Sequence, residues 1–171
     1  MPLRKSPARV ERILIEGFEA EFAKLYSCWY SLIETCPSRV IHRKSSNLAQ
    51  GFTLPSVGES VLRSAAAVEQ TCGGITANLW DDGFEWTLPE TLSTRERILE
   101  YLDEVETTRK RAFGSFLSDP DLLKVITTPS GKVQTLASLL LQTLARACQL
   151  QGQASLTAEI FSAQNDSGFT I

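Results

Sequence analysis

Apolar residues recur at steps of three and four along most of this chain, the spacing of amphipathic helices. Val10, Ile13, Leu14, Phe18, Phe22, Leu25, Trp29, Leu32 and Ile33 make one face of a first helix over 8–36, and Glu11, Glu16, Glu19 and Glu21 fall mostly on the other. Pro7 stands near its start and Pro37 just beyond its end. Residues 38–55 are polar and read as a connection between helices. Ser56 with Glu59 makes a capping box, and a second helix follows to Leu79 through Val57, Val61, Leu62, Ala65, Val68, Cys72 and Ile75. This period sets Val61, Ala65 and Val68 inside, Ser64 near the core and Arg63 on the flank. Gly73 and Gly74 weaken the last turn, each by about 1 kcal/mol against Ala.

Trp80-Asp81-Asp82-Gly83-Phe84-Glu85-Trp86 reads as a turn-rich loop. A capping box at Ser93 and Glu96 opens a third helix through Ile98, Leu102, Val105, Ala112, Phe113 and Phe116. Asp119-Pro120 ends it or opens a short turn, and 126–132 reads as a loop or short extended piece. Leu136, Leu140, Thr143, Ala147, Leu150 and Ala154 carry a fourth helix over 134–163. Four long amphipathic helices without strand-like alternation predict an all-α four-helix bundle, and the long connection at 38–55 allows a crossover. One domain over 1–171 is expected, with a core at about 8–163 and a frayed tail at 164–171.

Composition narrows the function. The formal net charge of -3 and the lack of clustered Lys and Arg argue against nucleic acid. No uncharged apolar run reaches membrane-spanning length and no signal peptide is evident, so a cytoplasmic location without membrane association is expected. Cys28, Cys72 and Cys148 lie in apolar helical stretches and read as buried, reduced thiols. His42 is the single histidine of the chain, in a polar loop.

Several pieces carry a family resemblance. They are Pro55-Ser56-Val57-Gly58-Glu59 through Ala66, Val68 and Glu69; Phe84-Glu85-Trp86; Arg95, Glu96, Ile98, Leu99, Tyr101 and Leu102; and Thr135-Leu136-Ala137 through Gly152-Gln153-Ala154-Ser155-Leu156. In this order and spacing, over 54–161, the chain resembles the DinB-like family. The resemblance implies a four-helix bundle with a crossover and often a homodimer. It also implies zinc or nickel on three histidines, one from the second helix and two at i and i+4 on the last, and in some members thiol-dependent transfer. The spacing suits a metal because residues four apart share a helix face.

The family's last helix typically reads His-x-x-x-His-Arg-Gly-Gln. The matching stretch here is Arg146-Ala147-Cys148-Gln149-Leu150-Gln151-Gly152-Gln153, so Arg146 and Leu150 replace the two ligands. The second-helix ligand falls at Arg63 or Ser64. Neither guanidinium nor a leucine side chain binds a divalent ion, so no metal and no cofactor are expected. Arg146 replaces an inward-facing residue of the family. It pairs with a carboxylate such as Glu59 or Glu69, snorkels outward along its stem, or anchors a small anion in the vacated cavity. Arg63, Ser64, Arg146, Gln149, Trp80 and Trp86 are the candidate ligand-binding residues, the tryptophans as a bundle-end plug, a lid or a dimer contact. Catalytic residues are not identified. A non-catalytic binding or interaction protein is the favoured reading. The alternative is a metal-independent enzyme or transferase acting on a small anionic or thiol-containing ligand.

Overall fold

The structure, a computed structural model, describes residues 11–48, 52–80 and 94–166. Helices α1 (Ile13–Thr35), α3 (Val57–Ala77), α4 (Arg95–Gly114) and α5 (Leu136–Asp166) form the bundle, and α2 (Ser38–Ile41) is a single turn. Each of α1 and α3 packs between α4 and α5, so α1 and α3 sit on opposite corners. Tyr26 meets Asp103 and Phe22 meets Phe113, which sets α1 antiparallel to α4. Ser64 meets Ala147 and Thr71 meets Thr143, which sets α3 antiparallel to α5. The segment from α1 to α3 passes over one bundle end, and the expected all-α bundle is what the chain forms. Glu69 meets Tyr101 and Cys72 lies near Arg109, so α3 and α4 run parallel, and the crossover allowed at 38–55 falls between those two helices instead.

Two antiparallel hairpins interrupt the connections, where the sequence pattern suggested at most a short extended piece at 126–132 and none within 38–55. β1 (Ser45–Leu48) pairs with β2 (Phe52–Leu54), and β3 (Val125–Thr127) pairs with β4 (Val133–Thr135). Strands this short leave little room for a two-residue period to register. In the second hairpin Gly131 takes φ +80, a left-handed conformation that glycine adopts without strain. Its N–H donates to the Thr128 carbonyl at 2.8 Å, which turns the chain back and sets Lys132 beside α5.

The helix ends follow local chemistry. Ser56 Oγ accepts from the Glu59 N–H at 3.1 Å, half of the expected capping box, while the Glu59 carboxylate turns to Arg63 and Lys44. Thr94, one residue later than expected, caps α4 by accepting from the Arg97 N–H. At the start of α1 the N-cap Arg12 makes no side-chain cap. Asp119, from the 3-10 turn Asp119–Leu123, accepts from the N–H groups of Leu14 and Ile15 at 3.0 to 3.1 Å. A carboxylate at a helix N-terminus suits both the open N–H groups and the helix dipole.

Trp29, Phe22, Phe113, Ile15, Ile33, Ile98, Leu102 and Leu140 fill the core. Phe22 and Phe113 pack at 5.6 Å between ring centres. Inside α4 a charged pair is buried with them: Arg109 donates twice to Glu106, at 2.7 Å each. Burial raises the Glu106 carboxyl, yet the Arg109 and Lys110 cations hold it below its ordinary value overall.

Candidate functional site

Ser64 lies on the inner face of α3, fully buried. Its hydroxyl accepts from Trp29 Nε1 at 2.8 Å and donates to the Ala147 carbonyl at 2.7 Å. Three helices are thereby joined through one oxygen. About two turns further along α3, the hydroxyls of Thr71 and Thr143 bond at 2.7 Å. The α3–α5 seam is polar and satisfied at both levels.

Beyond Thr71 and Thr143 the seam opens into a cleft of about 450 Å³ between α3, α5 and the β3–β4 hairpin. Ala67 and Leu139 contribute apolar wall, and Gln70, Trp80, Lys132, Gln142 and Arg146 line it with polar or aromatic groups. No carboxylate stands among the described lining residues, although acidic side chains outnumber basic ones, 20 to 17, in the whole chain. Local potential in such a cleft follows the nearest charges, which among the described lining residues are two cations.

The two cations differ in their attachments. Lys132 Nζ donates to Gln142 Oε1 at 2.8 Å, and the Gln142 amide in turn donates to Gln134 and Ser138. Arg146 is exposed and makes no hydrogen bond or ion pair among the described residues. Neither carboxylate considered for it is engaged with it. Glu59 accepts from Arg63, and Glu69 accepts from the Tyr101 hydroxyl at 2.6 Å. Position 146 is exposed where it lines the cleft, not inward as the resemblance implies for the family position, and Ala147 beside it takes the buried place.

Trp80 is held on several sides. Its Nε1 donates to Asn78 Oδ1 at 2.9 Å, and its carbonyl accepts from Gln70 Nε2 at 2.7 Å. The indole rests on Gly74, where an added β-carbon would stand 2.4 Å from the ring. Asn78 closes α3 in the left-handed conformation at φ 55, and the Asn78 and Leu79 N–H groups return to the Gly74 and Gly73 carbonyls. Gly73 and Gly74 thus remain helical, and Gly74 serves as the seat of the indole.

The other sequence candidates separate. Arg63 points outward and is engaged through Nε and Nη2 by Glu59, away from the cleft. Gln149 is exposed and does not line the cleft: it shares the Arg146 face of α5 but stands almost one turn past the last lining residue of that helix. Trp86 and the Asp81-Asp82 pair lie outside the described residues. Lys132, Gln70, Gln142 and Thr143 were not singled out. The sequence hint was only the Pro129–Gly131 turn, which brings Lys132 back to α5.

The cysteines do not converge on the cleft. Cys36 and Cys72 are buried, and burial pushes the Cys72 thiol up to about 12. Cys28 and Cys148 are exposed, which corrects the expectation that they pack inside. Burial of its sulfur still raises the Cys148 thiol.

The positions that the resemblance assigns to metal ligands fit an ion poorly. Arg146 is cationic, Leu150 has no donor, and the Ser64 hydroxyl is committed to Trp29 and Ala147. Among the described residues no group of three or more His, Cys, Asp or Glu is placed to hold a metal.

The architecture is that of a DinB-like bundle. A solved structure described as a DinB-like protein from Bacillus cereus ATCC 10987 superposes with a TM-score of 0.66 at 15% identity, covering 86% of this chain and 92% of that one. At that identity the likeness establishes the fold. No family model matches the chain, and no curated protein matches it. No helix among the described residues is long and apolar enough to cross a membrane.

Proposed function

We propose that this protein is a DinB-like bundle without the three-histidine metal site, and that it binds a small anionic ligand in the α3–α5 cleft without transforming it. The observation that carries the reading is Arg146, a guanidinium with no partner among the described residues, on a cleft that also holds Lys132 and no described carboxylate. A free planar donor fork suits carboxylate or phosphate oxygens. A volume of about 450 Å³ lies within the range of roughly 300–1,000 Å³ usual for small-molecule sites.

Binding is favoured over catalysis by the lining. Among the described lining residues there is no His, Cys, Asp or Glu to act as nucleophile or general base. A thermal-shift series with acetate, phosphate and citrate tests the reading. Stabilisation that is lost in Arg146→Leu supports it, and no response to any anion removes it. Elemental analysis of the purified protein tests the other half, where near-stoichiometric zinc or nickel overturns the proposal. The sequence resemblance also supports a cytoplasmic homodimer, which sedimentation velocity reads directly. A monomer at micromolar concentration removes that part.

A further inference from the structure

We infer that the ligand of this cleft carries a flat aromatic ring as well as an anionic group. The inference rests on the anion-binding reading above and goes further by naming the second half of the molecule. Trp80 lines the same cleft as Arg146 and Lys132. Trp80 is positioned before any ligand arrives: Asn78 accepts from its indole nitrogen, Gln70 donates to its main-chain carbonyl, and Gly74 leaves the room the ring occupies. A tryptophan fixed in this way loses little freedom on binding, so its π surface is available at low entropic cost.

Trp80 also lines a second cleft, of about 390 Å³, with Asn78, Thr127, Thr128 and Pro129. That side holds no cation among its described lining residues. Among the described lining residues, Trp80 and positive charge come together on the Arg146 side. The chemistry that uses both is an aromatic anion, its carboxylate or phosphate on Arg146 and Lys132 and its ring against Trp80. Gly74 is a positioning residue for the ring, because any side chain there displaces the indole.

The test is a titration followed by NMR through the indole N–H signal of Trp80, assigned by its disappearance in Trp80→Phe. The probes are naphthoate and adenosine monophosphate as aromatic carboxylate and aromatic phosphate, acetate and inorganic phosphate as anions alone, and naphthylmethanol as the ring alone. At least one aromatic anion is expected to shift the Trp80 signal saturably and to bind about tenfold or more tighter than its ring-free anion and than naphthylmethanol. The preferred arm identifies carboxylate or phosphate as the head group. Gly74→Ala is expected to erase that gain while leaving phosphate or acetate binding in place. If the simple anions bind as tightly as the aromatic ones and Trp80 does not respond, the inference is overturned and the anion-binding reading stands. If none of the anions binds, both fall.

Discussion

The Ser64 hydroxyl donates to the Ala147 carbonyl across 2.7 Å, at the level of the bundle where the family resemblance calls for a histidine. One oxygen takes the indole proton of Trp29 and closes α3 onto α5. The space around this oxygen is used for helix packing. Ser64→Ala removes that oxygen and leaves Trp29 Nε1 buried without an acceptor. Urea denaturation is expected to show a loss of roughly 1–3 kcal/mol, the cost of an unsatisfied buried donor. A change near zero would show that the relay contributes little.

Asp119 caps α1 from 105 residues away in sequence. Asp119→Ala opens the N–H groups of Leu14 and Ile15 and removes a negative charge from the helix start. The expected loss is about 1 kcal/mol. Amide exchange is expected to accelerate at Leu14 and Ile15 first, and uniform acceleration along the chain would argue against a local cap.

Two glycines on bundle helices separate space from propensity. Gly152 is exposed on α5, with nothing within 4 Å of an added β-carbon. Gly152→Ala is expected to stabilise the fold by up to about 1 kcal/mol. Gly74→Ala brings the same helical gain but drives a β-carbon into the Trp80 ring. Its expected effect is a displaced Trp80 indole resonance and a smaller or reversed stability change. Equal gains at both positions would contradict the seating of Trp80 on Gly74.

Acid is expected to loosen α4 and the turn that follows it. Glu106 is held below its ordinary value in the fold, so its contribution is present above the unfolded carboxyl value of about 4.3 and is lost as pH falls through the folded value. Asp121 behaves in the same sense: the Lys124 ammonium and the N–H groups of Ser118 and Leu117 hold it at about 2. Stability measured by denaturant titration is expected to be level above about pH 5 and to fall from about pH 4 downward. Glu106→Gln flattens part of that slope. It also lowers stability at neutral pH, by roughly 3–5 kcal/mol, because Arg109 remains buried. A variant as stable as the parent would show that the pair is dispensable.

Much of the fold was legible because burial repeats every three to four residues. Phe22, Leu25, Trp29 and Ile33 on α1, and Val61, Ala65 and Val68 on α3, are buried as their spacing requires. The cap at Ser56 was legible for the same reason: its chemistry is local. Asp119 was not, since its partners on α1 come together with it only in the folded chain. The exposure of Cys28 and Cys148 was not legible either, because a cysteine fits an apolar stripe and its border equally well.

The candidate site divides along the same line. Ser64 and Arg146 emerge from helix register and the resemblance, Trp80 from the aromatic, turn-rich stretch after the second helix, and Trp80 and Arg146 do share a cleft. Lys132 reaches it only through the β3–β4 turn, a contact that no spacing along the chain announces. Gly74 looked like a weak point of α3 and is the surface on which Trp80 rests.

The guanidinium of Arg146, without a partner among the described residues, carries the proposed anion site, and its own Nε–H resonance reports on binding there. Inorganic phosphate added to the intact protein is expected to shift that resonance saturably. The Nε–H of Arg63, which is bonded to Glu59, serves as the internal comparison. A saturable response at Arg146 that exceeds the one at Arg63, and that weakens in Lys132→Gln, is the outcome this reading requires. Equal, non-saturating drifts at both arginines would contradict it.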